Sequence, residues 1–153
     1  MWAIRAVLLL DQSMARRFDS NQCSDDELKF IVDKINRMSI ATDDLPGCRR
    51  WIRSCGRSGY PQMKLGRAFY DRFSTQPYNP GHLLYSIQNM KILDVNGYEM
   101  SHICHNKLCI KPEHFSYEPR AINKARDVCH SSNICTSHRT YESGITYPDC
   151  LFI

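Results

Sequence analysis

A chain of 153 residues has room for one domain, or for one domain with a short appendage. Hydrophobic residues make up 42%, the share of an ordinary globular protein, and no apolar run approaches the roughly 20 residues that a membrane span needs. The net charge of +4 excludes little by itself, so its distribution has to be read along the chain.

The stretch Ala6-Val7-Leu8-Leu9-Leu10 is ended by Asp11 and is too short for the apolar core of an export signal. It reads as a buried helix or strand segment, and the chain as intracellular. In that setting eight cysteines point to metal ligation rather than to the disulfide framework they would suggest in a secreted domain. Ser24 is placed to cap a helix, with Glu27 three residues on to reach back to it. Leu28, Ile31, Val32, Ile35 and Met38 follow at helical spacing, which predicts an amphipathic helix over 25–38 packed on the core. Asp43-Asp44-Leu45-Pro46-Gly47 breaks it. The chain therefore divides into an N-terminal helical segment, 1–46, and a second unit, 47–153.

Between Cys48 and Phe73 the charge becomes one-sided. Arg49, Arg50, Arg53, Arg57, Lys64, Arg67 and Arg72 face a single acid, Asp71, a local charge of +6 that exceeds the whole chain's. Tyr60, Phe69 and Tyr70 are interleaved with these cations. A basic segment punctuated by aromatics fits a nucleic-acid surface, although a solvated face would carry similar charge. Residues 64–70 are predicted as a strand or ribbon, a shape that enters the major groove.

Beyond Pro80-Gly81, residues 82–87 are apolar enough for a core element, helix or strand. Asn96-Gly97 signals a turn, and residues 98–104 read as a strand. Pro119 suits the first turn of a short helix over 119–128, which would carry Asn123, Lys124 and Arg126.

The densest chemistry lies in Ser101-His102-Ile103-Cys104-His105-Asn106-Lys107-Leu108-Cys109, followed by His114. Two soft thiolates and an imidazole at Cys104, Cys109 and His114 form three-quarters of a tetrahedral zinc site. The fourth ligand must come from upstream, from Cys48 or Cys55. Cys129, Cys135, His138 and Cys150 make a second, complete Cys3His set. Buried free thiols and a core histidine would explain one such group, but two complete sets within so short a span are not a common coincidence. His102 is left over by the zinc reading. In a strand it shares a face with Cys104, and an imidazole fixed there can act as a general base near neutral pH.

The run Ser-His-Ile-Cys-His-Asn at 101–106, with Cys109, Pro112, His114 and Asn123, resembles the His-Cys box homing endonucleases of the His-Me finger (HNH, ββα-metal) nuclease superfamily. The similarity covers about 48–138. It implies an α+β fold: a zinc-stapled ββα-metal nuclease core with an antiparallel DNA-binding sheet and an N-terminal helix. It implies that His102 activates water and that Asn123 holds a catalytic Mg²⁺ or Mn²⁺. The first structural zinc of the family corresponds to Cys48, Cys104, Cys109 and His114, the second to Cys129, Cys135 and His138, with Cys150 as the last ligand. Gly59-Tyr60, followed seven residues later by Arg67, resembles the family stretch that carries a phosphate-contacting arginine. That register favours Cys48 over Cys55. Cys150 comes twelve residues after His138, a longer spacing than the family pattern leads one to expect, and the long tail by whose exchange family members can dimerise is not expected here.

The implied reaction is hydrolysis of double-stranded DNA with one divalent metal, leaving 3′-hydroxyl and 5′-phosphate ends. A backbone carbonyl near Cys109 would fix the His102 tautomer, and Arg67 would neutralise the phosphate. Arg49, Arg50, Arg53, Arg57, Lys64, Arg67, Arg72 and Lys124 would contact DNA. A nuclear location and a homodimer are compatible with this reading, and no membrane role is expected. A non-cutting zinc DNA-binding protein would share the zincs and the basic face without needing His102 and Asn123. A secreted disulfide-rich domain is the remaining alternative.

Overall fold

A computed structural model describes residues 17–43, 47–93, 96–139 and 143–151 of the chain, so the apolar stretch at 6–10 lies outside the described residues. The first long element, α1 (Asp25–Arg37), starts as the sequence implies. Ser24 Oγ accepts from the Glu27 N–H at 3.3 Å, and the Glu27 carboxylate accepts from the Ser24 N–H at 2.9 Å. Ile31 and Ile35 on its inner face join a core with Trp51, Leu65, Phe69, Phe73, Leu83 and Ile110. The helix ends one residue before the expected position 38, and the chain turns into a short antiparallel pair. In it β1 (Ser39–Ala41) runs against β2 (Arg49–Trp51), with Ser39 opposite Trp51.

The other edge of β2 pairs with a distant segment. The Trp51 N–H donates to the Leu108 carbonyl at 2.9 Å and the Ile110 N–H to the Arg49 carbonyl at 2.8 Å. This pairing brings the start of β2, and hence Cys48, beside Cys109. Residues 64–70 do not form the expected strand. Gly66 takes a φ of +129°, which turns the chain. A 3-10 turn at Arg67–Phe69 then drives Phe69 inward to the core, ahead of the buried Phe73. The basic segment is held instead by isolated bridges, Cys55 with Pro61 and Met63 with Tyr78.

Residues 82–87 belong to a helix, α2 (Pro80–Asn89). Asn79 caps it by accepting from the Gly81 N–H at 2.8 Å, and Pro80 occupies the first turn, where its missing N–H is not needed. A Cβ on Gly81 would lie 2.4 Å from the Phe115 ring, so only glycine lets the helix approach the next sheet this closely.

That sheet and the helix after it form a ββα unit. Strand β3 (Tyr98–His102) pairs antiparallel with β4 (Phe115–Pro119), in a register that sets His102 opposite Phe115 and Glu99 opposite Glu118. The strand stops at His102, two residues before the expected 104, because Ile103 and Cys104 already turn into the cysteine-rich loop. From Pro119 the chain enters α3 (Arg120–Ser132), which starts one residue later than the expected 119–128 and runs four residues beyond it. A last pair, β5 (His138–Arg139) with β6 (Thr146–Tyr147), follows α3. The architecture is α+β with small antiparallel sheets. Among the described residues no helix is long and apolar enough to cross a membrane.

Candidate metal centres and nuclease site

Two groups of Cys and His converge: the second is the set read from spacing, and the first adds Cys48, one of the two upstream candidates, to Cys104, Cys109 and His114. In the first, the ligand atoms of Cys48, Cys104, Cys109 and His114 all lie within 4.8 Å of one another, and all four residues are buried. His114 Nδ1 stands 3.4 Å from Cys48 Sγ and 3.5 Å from Cys109 Sγ. A tetrahedral zinc, about 2.3 Å from sulfur and about 2.0 Å from nitrogen, would leave about 3.5 Å between such atoms. The donor set therefore fits zinc at its natural spacing. Cys55 stands apart, exposed, and bridges to Pro61. The pairing of β2 with 108–110 thus makes Cys48 the fourth member.

The second group, Cys129, Cys135, His138 and Cys150, is as compact. His138 Nε2 lies 3.4 Å from Cys135 Sγ, 3.4 Å from Cys150 Sγ and 3.8 Å from Cys129 Sγ. The long spacing before Cys150 is taken up by β5 and β6, which fold the chain back on itself. Behind this site Arg126 is 2% exposed and pairs with fully buried Glu118, donating to both carboxylate oxygens at 2.7 Å. A third donor of the same guanidinium reaches Cys150 Sγ at 3.5 Å. Burial pushes the Cys48 thiol up to about 11 and the Cys150 thiol up to about 12. In the metal-free protein these two thiols keep their protons until a metal displaces them, whereas hydrogen bonds from Cys104 and nearby backbone N–H groups hold the Cys109 thiol down.

His102 closes β3 beside the first group. Its Nε2 lies 3.0 Å from the Cys109 carbonyl oxygen. A carbonyl only accepts, so Nε2 carries the proton and Nδ1 is left as the basic atom. The ring is packed between Phe115, 4.4 Å away, and Tyr60, stacked at 5.9 Å. This burial lowers the imidazole pKa from its ordinary value.

Asn123 sits in the first turns of α3 and lines an open cavity of about 490 Å³ with Tyr60, Gln62, Asn79, His82 and Glu99. Tyr60 therefore links the two residues singled out from sequence: one side of the residue touches His102, and it shares the cavity with Asn123. The Asn123 side-chain N–H donates to Glu99 at 2.8 Å. His82 faces the edge of Phe115, and burial brings its pKa down to about 4, so it is neutral at pH 7. Lys107 places its ammonium 5.3 Å from the Tyr60 ring centre. Glu99, His82 and Lys107 escaped the sequence reading. The signal for Glu99 was a carboxylate in β3, the first strand of the ββα unit whose helix carries Asn123.

The basic residues divide. Arg49 donates to Ser39 and to the Asn36 carbonyl, and Arg72 to Glu27 and to the Gln22 carbonyl, so both guanidiniums are committed to α1 and its flanks. Arg50, Arg53, Arg57, Lys64, Arg67 and Lys124 are exposed. Arg67 stands on its 3-10 turn and does not line the Asn123 cavity.

A ββα unit whose strand-to-strand connection carries three members of one Cys3His group, completed by Cys48 from upstream, with a second such group gathered at the end of the helix, defines a zinc-stapled nuclease fold. The chain belongs to the His-Cys box homing endonuclease family: residues 64–152, more than half of it, match the family described as the zinc-binding loop region of homing endonuclease. Comparison with curated proteins and with solved structures gives no significant match. The family implies a nuclease, with DNA as its partner and zinc in the two clusters.

Proposed function

We propose that the protein is a site-specific, homing-type endonuclease that hydrolyses double-stranded DNA in the nucleus, with His102 as general base and Asn123 as ligand of one Mg²⁺ or Mn²⁺. The observation that carries the reading is the 3.0 Å contact between His102 Nε2 and the Cys109 carbonyl, which leaves Nδ1 free of a proton. Nδ1 takes a proton from water as the water oxygen attacks phosphorus. Tyr60 and Phe115 hold the ring plane, and the zinc loop that supplies the Cys109 carbonyl holds its tilt.

The residues at Asn123 fit a hard cation. Its carboxamide oxygen is the kind of ligand such ions prefer, and it stands in a cavity open enough to admit phosphate and water. A divalent ion bound there supplies charge stabilisation to the phosphate and the leaving 3′-oxygen. Arg67, exposed outside that cavity, joins the other exposed cations of the basic segment and Lys124 in holding the flanking backbone. The products are a 3′-hydroxyl and a 5′-phosphate. Zinc ions in the two Cys3His groups would have four protein ligands each and would set geometry only.

The test is His102→Ala on plasmid DNA with Mg²⁺. Cleavage falls by about 10²–10⁴-fold, the usual worth of a positioned base, while DNA binding and zinc content stay unchanged. Cutting at the wild-type rate would sink the assignment. Metal-dependent cutting by the unaltered chain separates this reading from a zinc protein that only binds DNA.

A further inference from the structure

Glu99 is the residue in the cavity whose presence the fold does not explain. The β3–β4 register places it directly opposite Glu118. Like charges in that position oppose strand pairing. Each carboxylate is neutralised separately from α3, Glu118 by Arg126 and Glu99 by Arg120. The Glu118 pair is fully buried, whereas the Arg120 side chain is 62% exposed and that of Glu99 34%. An ion pair so exposed adds little stability. The position therefore costs the sheet something and returns little to it.

What Glu99 does hold is Asn123. One carboxylate oxygen accepts from Arg120 Nε at 2.5 Å, and the other accepts from Asn123 Nδ2 at 2.8 Å. Both carboxylate oxygens are thus occupied by donors. We propose that Glu99 is the positioning residue for the Asn123 carboxamide, holding its amide nitrogen so that the amide oxygen is presented to a divalent cation in the cavity. The proposal rests on the reading of Asn123 as the metal ligand. With Nδ2 pinned, the amide plane is fixed and Oδ1 stands on the opposite branch. The full negative charge on the acceptor strengthens the N–H bond and draws electron density toward Oδ1, which makes that oxygen a better ligand for a hard ion. Glu99 acts through Asn123 and does not itself coordinate.

The experiment compares wild type, Glu99→Gln and Asn123→Ala as zinc-loaded full-length chains. Side-chain amide NMR comes first, with Asn123→Ala assigning the signal. The wild-type Asn123 amide should show one proton shifted downfield and protected from exchange, and Glu99→Gln should bring it back toward the free-amide position. Identical signals in the two chains overturn the proposal. The second readout is the Mg²⁺ dependence of plasmid cleavage. Glu99→Gln should raise the half-saturating Mg²⁺ concentration by about 10–100-fold and recover most of kcat at saturation. A lowered kcat with unchanged half-saturation would mean a merely structural role and overturns it too. If Asn123→Ala cuts with wild-type Mg²⁺ dependence, the ligand reading itself has failed, an outcome separate from either failure of Glu99. Zinc content and melting temperature are followed throughout. Should Glu99→Gln fold poorly, Glu99→Asp, which keeps the charge but withdraws it by one methylene, carries the same comparison with a smaller shift.

Discussion

His102 shows how a single backbone contact sets the chemistry of a side chain. Because the Cys109 carbonyl can only accept, the ring proton is assigned to Nε2, and burial against Phe115 and Tyr60 then keeps the ring from gaining a second proton. The sign of the consequence is definite. A base must be neutral to act, and a pKa lowered from 6.5 keeps it neutral further into acid. The acid limb of kcat/KM for DNA cleavage should therefore have its midpoint below 6.5; a midpoint above that value would contradict the burial argument. Arg126 makes the complementary point about stability. Replacing it with Met leaves the Glu118 carboxylate buried without a partner and should cost about 3–5 kcal/mol in urea unfolding. Removing both charges together, as Glu118→Gln with Arg126→Met, should cost less than the single change. Residues of this kind differ in how far the sequence reveals them. The ligands Cys104, Cys109 and His114 are close in the chain, so spacing alone nearly fixes their geometry. Glu99 and Asn123 meet across a strand and a helix, and no local pattern marks that meeting.

The basic segment carries the same lesson at the level of elements. Residues 64–70 are expected as a strand or ribbon, but Gly66 turns the chain and the core claims Leu65, Phe69 and Phe73. Tertiary burial overrode the local pattern. The capping box of α1 formed where its residues stood, because it is satisfied within a few residues by backbone N–H groups, whereas the choice of helix over strand for 82–87 needed the Asn79 cap and packing on the core. The choice between Cys48 and Cys55 needed the pairing of β2 with 108–110, a contact between segments far apart in sequence. The structure also divides cations that composition treats alike. If the segment is the DNA footprint, binding should weaken steeply with salt, and each phosphate-contacting cation removed should make the slope of log affinity against log salt about 0.9 shallower. Arg53→Gln, at an exposed position, should produce that change. Arg72→Gln should leave the slope where it was, because that guanidinium is spent on Glu27 and the Gln22 carbonyl, and should lower the melting temperature instead. Equal effects of the two substitutions on the slope would place the footprint elsewhere.

Across the whole molecule the two Cys3His groups are not independent staples. Cys150 is a member of the second group, yet its neighbour Leu151 belongs to the first: the Leu151 N–H donates to the Ile103 carbonyl at 2.7 Å, and its side chain packs against Cys48, Cys104 and Cys109. A second link runs beside it, where His105, next to Cys104, stacks on His130, next to Cys129, with ring centres 4.7 Å apart. A metal in the second group would fix Cys150 and so hold Leu151 over the sulfurs of the first, keeping water from them. Metal binding and folding would then be coupled across both groups rather than site by site. Cys150→Ser should therefore reduce zinc in both places. After challenge with a chelator, the zinc content per chain should fall well below one, and cleavage should go with it, because the loop that holds the Cys109 carbonyl against His102 is the same loop that holds the first zinc. Independent sites would behave differently: the variant would keep one zinc as firmly as the wild type, and the unperturbed first site would still present His102 in its working tautomer.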